Sequence, residues 1–173
     1  MRVVAGDFKG RPLRAPRGAA TRPTADRVRE ALFSMLGDVS GARVLDLYAG
    51  SGALGIEALS RGAESALFVE SDRRALASLR RNLESVGVDA AIRQQDVARF
   101  LARPEGKYDL VLCDPPYDDA PQAARQLSET LPELLADKAR IVTESDKRNP
   151  LLLELPLLVE RDYGDTRIAI HSS

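Results

Sequence analysis

The amino-acid sequence predicts an α/β fold with a mostly parallel sheet. Three observations carry the prediction. Residues 44–62 read as strand, glycine turn and helix. Apolar runs of strand length then alternate with helical periods as far as Glu144, the pattern of a parallel sheet with crossover helices. Two last strand segments, joined through Tyr163-Gly164-Asp165, read as an antiparallel hairpin.

In chain order, residues 2–14 predict a short hairpin, Arg2-Val3-Val4-Ala5 against Arg11-Pro12-Leu13-Arg14, around Gly6 and Gly10. Pro12 lacks a backbone donor, which assigns its strand to an edge. Pro16 to Pro23 is a loop rich in proline, glycine and arginine. Thr24 is the predicted cap of a helix that runs to Gly37. Its apolar stripe is Val28, Leu32, Met35 and Leu36, with Asp26, Arg27, Arg29 and Glu30 facing elsewhere. Strand 43–48 precedes a helix near 53–61, strand 65–70 a helix from Asp72 to Val86, and strand 90–94 a short helix over 96–103. Residues 108–113 form a buried strand, 121–135 a helix whose end Pro132 compresses, and 139–144 the next strand. Segments 157–162 and 166–171 make the closing hairpin.

A length of 173 residues suits one domain with a substantial core, and 44% hydrophobic with 29% charged residues excludes disordered and fibrous classes. No apolar run approaches the roughly 18 residues that a membrane span requires. The start, Met1-Arg2-Val3-Val4-Ala5-Gly6-Asp7, has no signal-peptide core, so a cytoplasmic protein without a membrane partner is expected. One cysteine and one histidine exclude an internal disulfide and a Cys/His zinc site, and no metal is expected. The net charge of -1 hides an asymmetry. Within the first 30 residues Arg2, Lys9, Arg11, Arg14, Arg17, Arg22, Arg27 and Arg29 stand against Asp7, Asp26 and Glu30, a local +5 on a body of -6. Such a basic head is either an arm that touches phosphates or a solvated terminus.

Chemistry concentrates at strand ends. Gly50-Ser51-Gly52-Ala53-Leu54-Gly55 has the G-x-G-x-x-G spelling of a nucleotide-binding turn. Asp46, four residues ahead of Gly50, adds nothing to a pyrophosphate site and suits a cationic ligand group, such as the amino acid end of S-adenosylmethionine. Glu70 ends the second strand, where an acid can accept from both ribose hydroxyls of that molecule or of NAD. Asp96 is placed either to accept from an adenine amine, with Val97 covering the ring, or simply to cap a surface helix. Asp114-Pro115-Pro116-Tyr117 follows a buried strand. Two prolines remove two backbone donors and leave carbonyls facing outward. The tetrapeptide is a plain turn, or else an acceptor pair for an exocyclic amine. In the second reading Asp114 and the Pro115 carbonyl hold the amine and Tyr117 stacks on its ring.

Taken together, Asp46–Gly52, Glu70, Asp96 and Asp114–Tyr117 resemble a class I S-adenosylmethionine-dependent amino-methyltransferase. More narrowly, Arg22-Pro23-Thr24-Ala25-Asp26-Arg27-Val28-Arg29-Glu30-Ala31-Leu32-Phe33 ahead of Leu45-Asp46-Leu47-Tyr48-Ala49-Gly50-Ser51-Gly52-Ala53-Leu54-Gly55 is similar to the RsmD family. Its bacterial members methylate the N2 of one guanine in 16S ribosomal RNA. The similarity spans essentially the whole chain, with Tyr48 where the family often has Phe.

The resemblance implies a Rossmann-like, seven-stranded sheet with a small N-terminal hairpin extension. Residues 1–23 would be the basic RNA-contacting extension and 24–173 the methyltransferase domain. It implies Asp114, Pro115, Pro116 and Tyr117 as catalytic. Asp46, Tyr48, Gly50, Ser51, Gly52, Glu70, Ser71, Asp96, Val97 and Thr24 would hold S-adenosylmethionine. Arg2, Lys9, Arg11, Arg14, Arg17, Arg22, Arg27 and Arg29 would meet RNA, with Arg22, Thr24, Arg27 and Arg29 helping to place RNA or cofactor. The expected substrate is 16S ribosomal RNA within a small-subunit particle, and the expected state a monomer.

Methyl transfer would be direct, and the departing proton would go to Asp114 or water. Cys113 reads as core and His171 as structural. Two alternatives use the same features: an adenine-N6 nucleic-acid methyltransferase, and an assembly factor that binds the cofactor without catalysis.

Overall fold

The computed structural model describes residues 1–16, 26–116 and 120–173. Arg17, Arg22, Thr24 and Tyr117 lie outside the described residues, so the expectations attached to them, including the Thr24 cap, have no structural counterpart here.

Seven strands form one sheet: β1 (Arg43–Leu47), β2 (Ser65–Glu70), β3 (Ala91–Gln94), β4 (Tyr108–Cys113), β5 (Leu135–Asp146), β6 (Leu157–Tyr163) and β7 (Thr166–Ser172). Their spatial order is β3-β2-β1-β4-β5-β7-β6. The first five run parallel to one another, while β7 runs antiparallel to both β5 and β6. The predicted α/β class, the mostly parallel sheet and the closing hairpin are therefore observed.

The helices are α1 (Asp26–Leu36), α2 (Ala53–Ser60), α3 (Arg73–Val86), α4 (Val97–Leu101) and α5 (Ala120–Leu134). Alternation along the strands splits the core into two layers. Val44, Phe68 and Leu112 pack with residues of α1, α2 and α3 on one face. Leu45, Leu47, Val111 and Ile141 pack with α4 and α5 on the other. Strands buried on both faces explain the continuous apolar runs.

Two elements depart from expectation. In α1 the buried positions are Arg29, Leu32, Phe33 and Leu36, a helical face of spacing three, four and seven that begins on an arginine. Arg29, expected to face elsewhere, is fully buried because carboxylates meet it inside. Strand β5 starts at Leu135, directly after α5 and ahead of the expected 139–144 segment, with a register irregularity opposite Tyr108 and Leu110.

The N-terminal arm folds back on itself as predicted, but its pairing shrinks to one antiparallel bridge, Arg2 with Pro12. Val3 N–H donates to the Arg11 carbonyl at 2.9 Å, and Gly10 N–H to the Val3 carbonyl at 2.9 Å. Proline stops the ladder. The arm is secured by α2, where Val4 and Ala5 donate to the two carboxylate oxygens of Glu57 at 2.8 and 2.9 Å. Ser60 adds a donated bond to the Ala5 carbonyl and an accepted one from Phe8 N–H.

Candidate active site

The carboxyl ends of β1, β2 and β4 carry the glycine loop, Glu70 and Asp114 at one end of the sheet. The chain leaves β1 through Tyr48, which takes φ +60°, and turns through Gly50 and Gly52 at φ +56° and +77° into α2. Gly52 caps α2 without any side-chain hydrogen bond, so the helix start presents backbone donors. A Cβ on Gly52 would lie 2.3 Å from Leu79 Cδ1, and one on Gly55 2.4 Å from the Phe68 ring and 2.9 Å from Asp46 Oδ2. Glycine at 55 lets α2 lie against the sheet. This third glycine of the motif is a packing element that the sequence reading left without a role.

Asp46 is buried on the face that carries α1 to α3, and its Oδ2 accepts from Gly55 N–H at 3.0 Å. Burial pushes its pKa up to about 8, with the Glu70 charge adding to the rise and the Gly55 bond opposing it. Asp46 therefore braces the loop from beneath. Glu70 sits at the end of β2 in the predicted place. Its Oε2 accepts from Gly50 N–H at 2.7 Å, and its Oε1 from Ser71 and Asp72 N–H, each at 2.7 Å. Three backbone donors fix the carboxylate against the glycine loop while lone pairs remain for further donors.

Asp96 is the N-cap of α4, accepting from Ala98 N–H at 2.8 Å and Arg99 N–H at 3.4 Å through Oδ1. The capping alternative is thus observed, and Oδ2 is not used by these bonds. Val97, expected to cover a ring, instead has its side chain in the core layer with Phe100 and Leu101. Helix α4 is short, and its burial rests on these three side chains.

Asp114 is half-buried at the end of β4, followed by a buried Pro115 and an exposed Pro116. Burial raises the Asp114 pKa well above the ordinary carboxylate value, and the charges of Glu144 and then Asp46 add to the rise. Glu144, 3% exposed on β5, is a neighbour that the sequence reading passed over. The register Cys113 to Thr143 sets it one residue beyond, beside Asp114. Cys113 is core as expected, and burial pushes its thiol far up, which holds it in the protonated form. His171 is buried on β7 with its Nδ1 3.1 Å from the Leu155 carbonyl, a structural position.

Among the predicted RNA contacts, Arg2, Lys9, Arg11, Arg14 and Arg27 are exposed. Arg29 is a correction: it is fully buried, donating to Glu57 Oε2 at 3.3 Å, Asp26 Oδ1 at 3.0 Å and the Arg2 carbonyl, and it is spent on holding the arm. Glu57, likewise fully buried, also accepts from Arg61 at 2.9 Å. A lone acid in the apolar run Leu54-Gly55-Ile56-Glu57-Ala58-Leu59 was the signal that it needed buried partners.

A family model described as "Conserved hypothetical protein 95" matches residues 1–172. Ribosomal RNA small subunit methyltransferase D of Escherichia coli strain K12 is 39% identical over 87% of this chain and 77% of its own. The solved structure of hypothetical protein TTHA0928 from a Thermus species superposes with a TM-score of 0.87 at 30% identity, covering 100% of this chain and 99% of that one. The fold also matches the crystal structure of SMU.776 complexed with SAH, with a TM-score of 0.67 and 18% identity over 86% of this chain and 49% of that one. At that identity the likeness shows the fold alone.

Proposed function

The chain belongs to the RsmD family of methyltransferases, and on that premise we propose that it transfers a methyl group from S-adenosylmethionine to the exocyclic N2 amine of one guanine in 16S ribosomal RNA. The observation that carries this reading is the parallel pairing of β1 with β4, Asp46 opposite Leu112 and Leu47 opposite Cys113. It sets the glycine loop and the Asp114–Pro115 strand end side by side. A nucleoside on the first and a base amine on the second would share one crevice.

The residues fit the cofactor. The uncapped start of α2 offers N–H groups to a carboxylate, and Glu70, already oriented by three amides, offers acceptors to ribose hydroxyls. A cationic ammonium group nearby would draw Asp46 back to its ionised form. Tyr48, Ser51 and Ser71 border the same loop, and Asp96 retains an acceptor for an amine. When bound, S-adenosylmethionine supplies an electrophilic methyl group on its sulfonium. The chain's own task is to present the amine. An Asp114 oxygen and the Pro115 carbonyl accept the two N–H groups, which draws the nitrogen towards a pyramidal geometry and directs its otherwise delocalised lone pair at the methyl group. The proton released from nitrogen goes to the Asp114 carboxylate or to water.

The exposed basic side chains of the arm support residues 1–23 as an RNA-contacting extension of a methyltransferase domain spanning 24–173. We infer that part of its specificity comes from a preassembled target. We therefore assign it a small-subunit particle as substrate, acting as a monomer in the cytoplasm. No helix among the described residues is long and apolar enough to cross a membrane.

The test is transfer of labelled methyl from S-adenosylmethionine to small ribosomal subunits, bare ribosomal RNA and DNA, with Asp114→Ala in parallel. Label that digests to N2-methylguanosine and is lost in the variant supports the assignment. Label in N6-methyladenosine would replace it with the adenine enzyme, and cofactor binding without transfer would replace it with the assembly factor.

A further inference from the structure

One buried amide holds both the N-terminal arm and the glycine loop. Asn82 lies on α3 and is 1% exposed. Its Oδ1 accepts from Arg14 N–H at 2.8 Å, and its Nδ2 donates to the Arg14 carbonyl at 3.0 Å and to the Ser51 carbonyl at 2.9 Å. All three partners are backbone groups, so displacement of either segment is felt by the other through a single side chain. The same helix face supports the loop at its next residue, where Leu79 stands so close to Gly52 that a Cβ there would lie 2.3 Å from Cδ1. Arg11 reaches α3 as well, donating to the Ser85 carbonyl at 2.9 Å, while the Ser85 hydroxyl donates to the Asn82 carbonyl at 2.8 Å.

We propose that Asn82 is a positioning residue that couples the arm to the cofactor loop, so that RNA at the one and cofactor at the other strengthen each other's binding. The proposal rests on the reading of the arm as an RNA contact and of the loop as the cofactor cradle. A ligand that orders Ser51 also orders the amide that orders Arg14, and the arm then meets RNA with less freedom left to lose. Linkage makes the effect reciprocal: RNA on the arm tightens cofactor binding by the same factor.

The experiment uses the full chain and two variants. Asn82→Asp keeps the acceptor for Arg14 N–H and removes both donated bonds; Asn82→Ala removes all three. Affinity for small ribosomal subunits is measured with and without saturating S-adenosylhomocysteine, and amide exchange of Leu13, Arg14 and Ala15 with and without S-adenosylhomocysteine alone. In the native chain the nucleoside should tighten RNA binding at least about 5-fold and slow exchange in the arm. In both variants each ratio should fall to near one. A ratio measured on one preparation cancels any loss of folded protein, so a purely structural role for Asn82 would leave it unchanged. Ratios of one in the native chain, or native ratios in the variants, overturn the proposal. Failure of the functional reading shows differently, as native protein that transfers no label to ribosomal RNA while arm exchange still reports the coupling.

Discussion

Arg29 Nε and Glu57 Oε2 stand 3.3 Å apart with both side chains fully buried, joining α1 to α2 beneath the N-terminal arm. Two charges in such a place are stable only because each finds further partners: Asp26 and the Arg2 carbonyl for the arginine, and Arg61 with two arm amides for the glutamate. Removing one member strands the other. Arg29→Met should cost roughly 3–5 kcal/mol in urea unfolding, and Glu57→Ala at least as much. Amide exchange at Val4 and Ala5 should accelerate in Glu57→Ala. Variants within about 0.5 kcal/mol of the native chain, the usual range of surface substitutions, would deny the pair its role.

Gly55→Ala should destabilise the fold by about 1–3 kcal/mol. The added methyl meets the Phe68 ring at 2.4 Å and Asp46 Oδ2 at 2.9 Å. Affinity for S-adenosylhomocysteine by calorimetry should fall as well, because α2 must back away from the loop that it anchors. Trimming the ring with Phe68→Leu in the same chain should recover part of both losses.

Asp46 predicts a pH dependence of stability. Its pKa of about 8 in the folded protein lies above the unfolded value of 3.8, so the folded state holds the proton more tightly. That contribution is complete below pH 3.8, shrinks as pH rises and is lost beyond pH 8. Asp46→Asn removes the titration. Urea midpoints should therefore show the variant similar to the native chain at pH 4 and more stable at pH 8, by a few kcal/mol at roughly 1.4 kcal/mol per pKa unit. Its affinity for S-adenosylmethionine should nevertheless be lower.

Charge on the arm should govern RNA binding more than cofactor binding. Lys9→Glu with Arg14→Glu is expected to weaken binding to small subunits and to lower the slope of log K against log salt by roughly 0.7–0.9 per lost phosphate contact. A salt slope identical to that of the native chain would remove both residues from the interface. Arg29→Met offers a contrast: it removes a charge of the same sign from the neighbouring α1, yet its effect should fall on stability first.

Much of this architecture is written locally. The run Val44 to Leu47, the break at Gly50-Ser51-Gly52 and the return to helix at Ala53 need only neighbouring residues to be understood, and the same holds for Glu70 and Asp114 at their strand ends. Local pattern misleads where it disagrees with a distant partner. The charge of Arg29 points to the solvent side, although its spacing to Leu32, Phe33 and Leu36 is that of the buried face. Asn82 sits among Leu79, Leu83 and Val86 in the buried face of α3, a polar residue in an apolar stripe whose partners cannot be guessed from its surroundings in the chain.

The sequence by itself determined the order and type of the elements, the parallel sheet with its closing hairpin, and the strand ends where chemistry gathers. Periodicity, turn residues and proline act over a few positions, and these features need no more. Only the tertiary structure decided which charges are buried, that Asp46 faces Gly55 N–H, and that Asn82 ties Arg14 to Ser51. Most of these contacts are long-range, 28, 53 and 68 positions for Arg29–Glu57, Val4–Glu57 and Arg14–Asn82, although Asp46 and Gly55 are nine apart. Burying a polar group is unfavourable until its partner arrives, and the partner is supplied by the packing of the sheet and helices rather than by the adjoining chain.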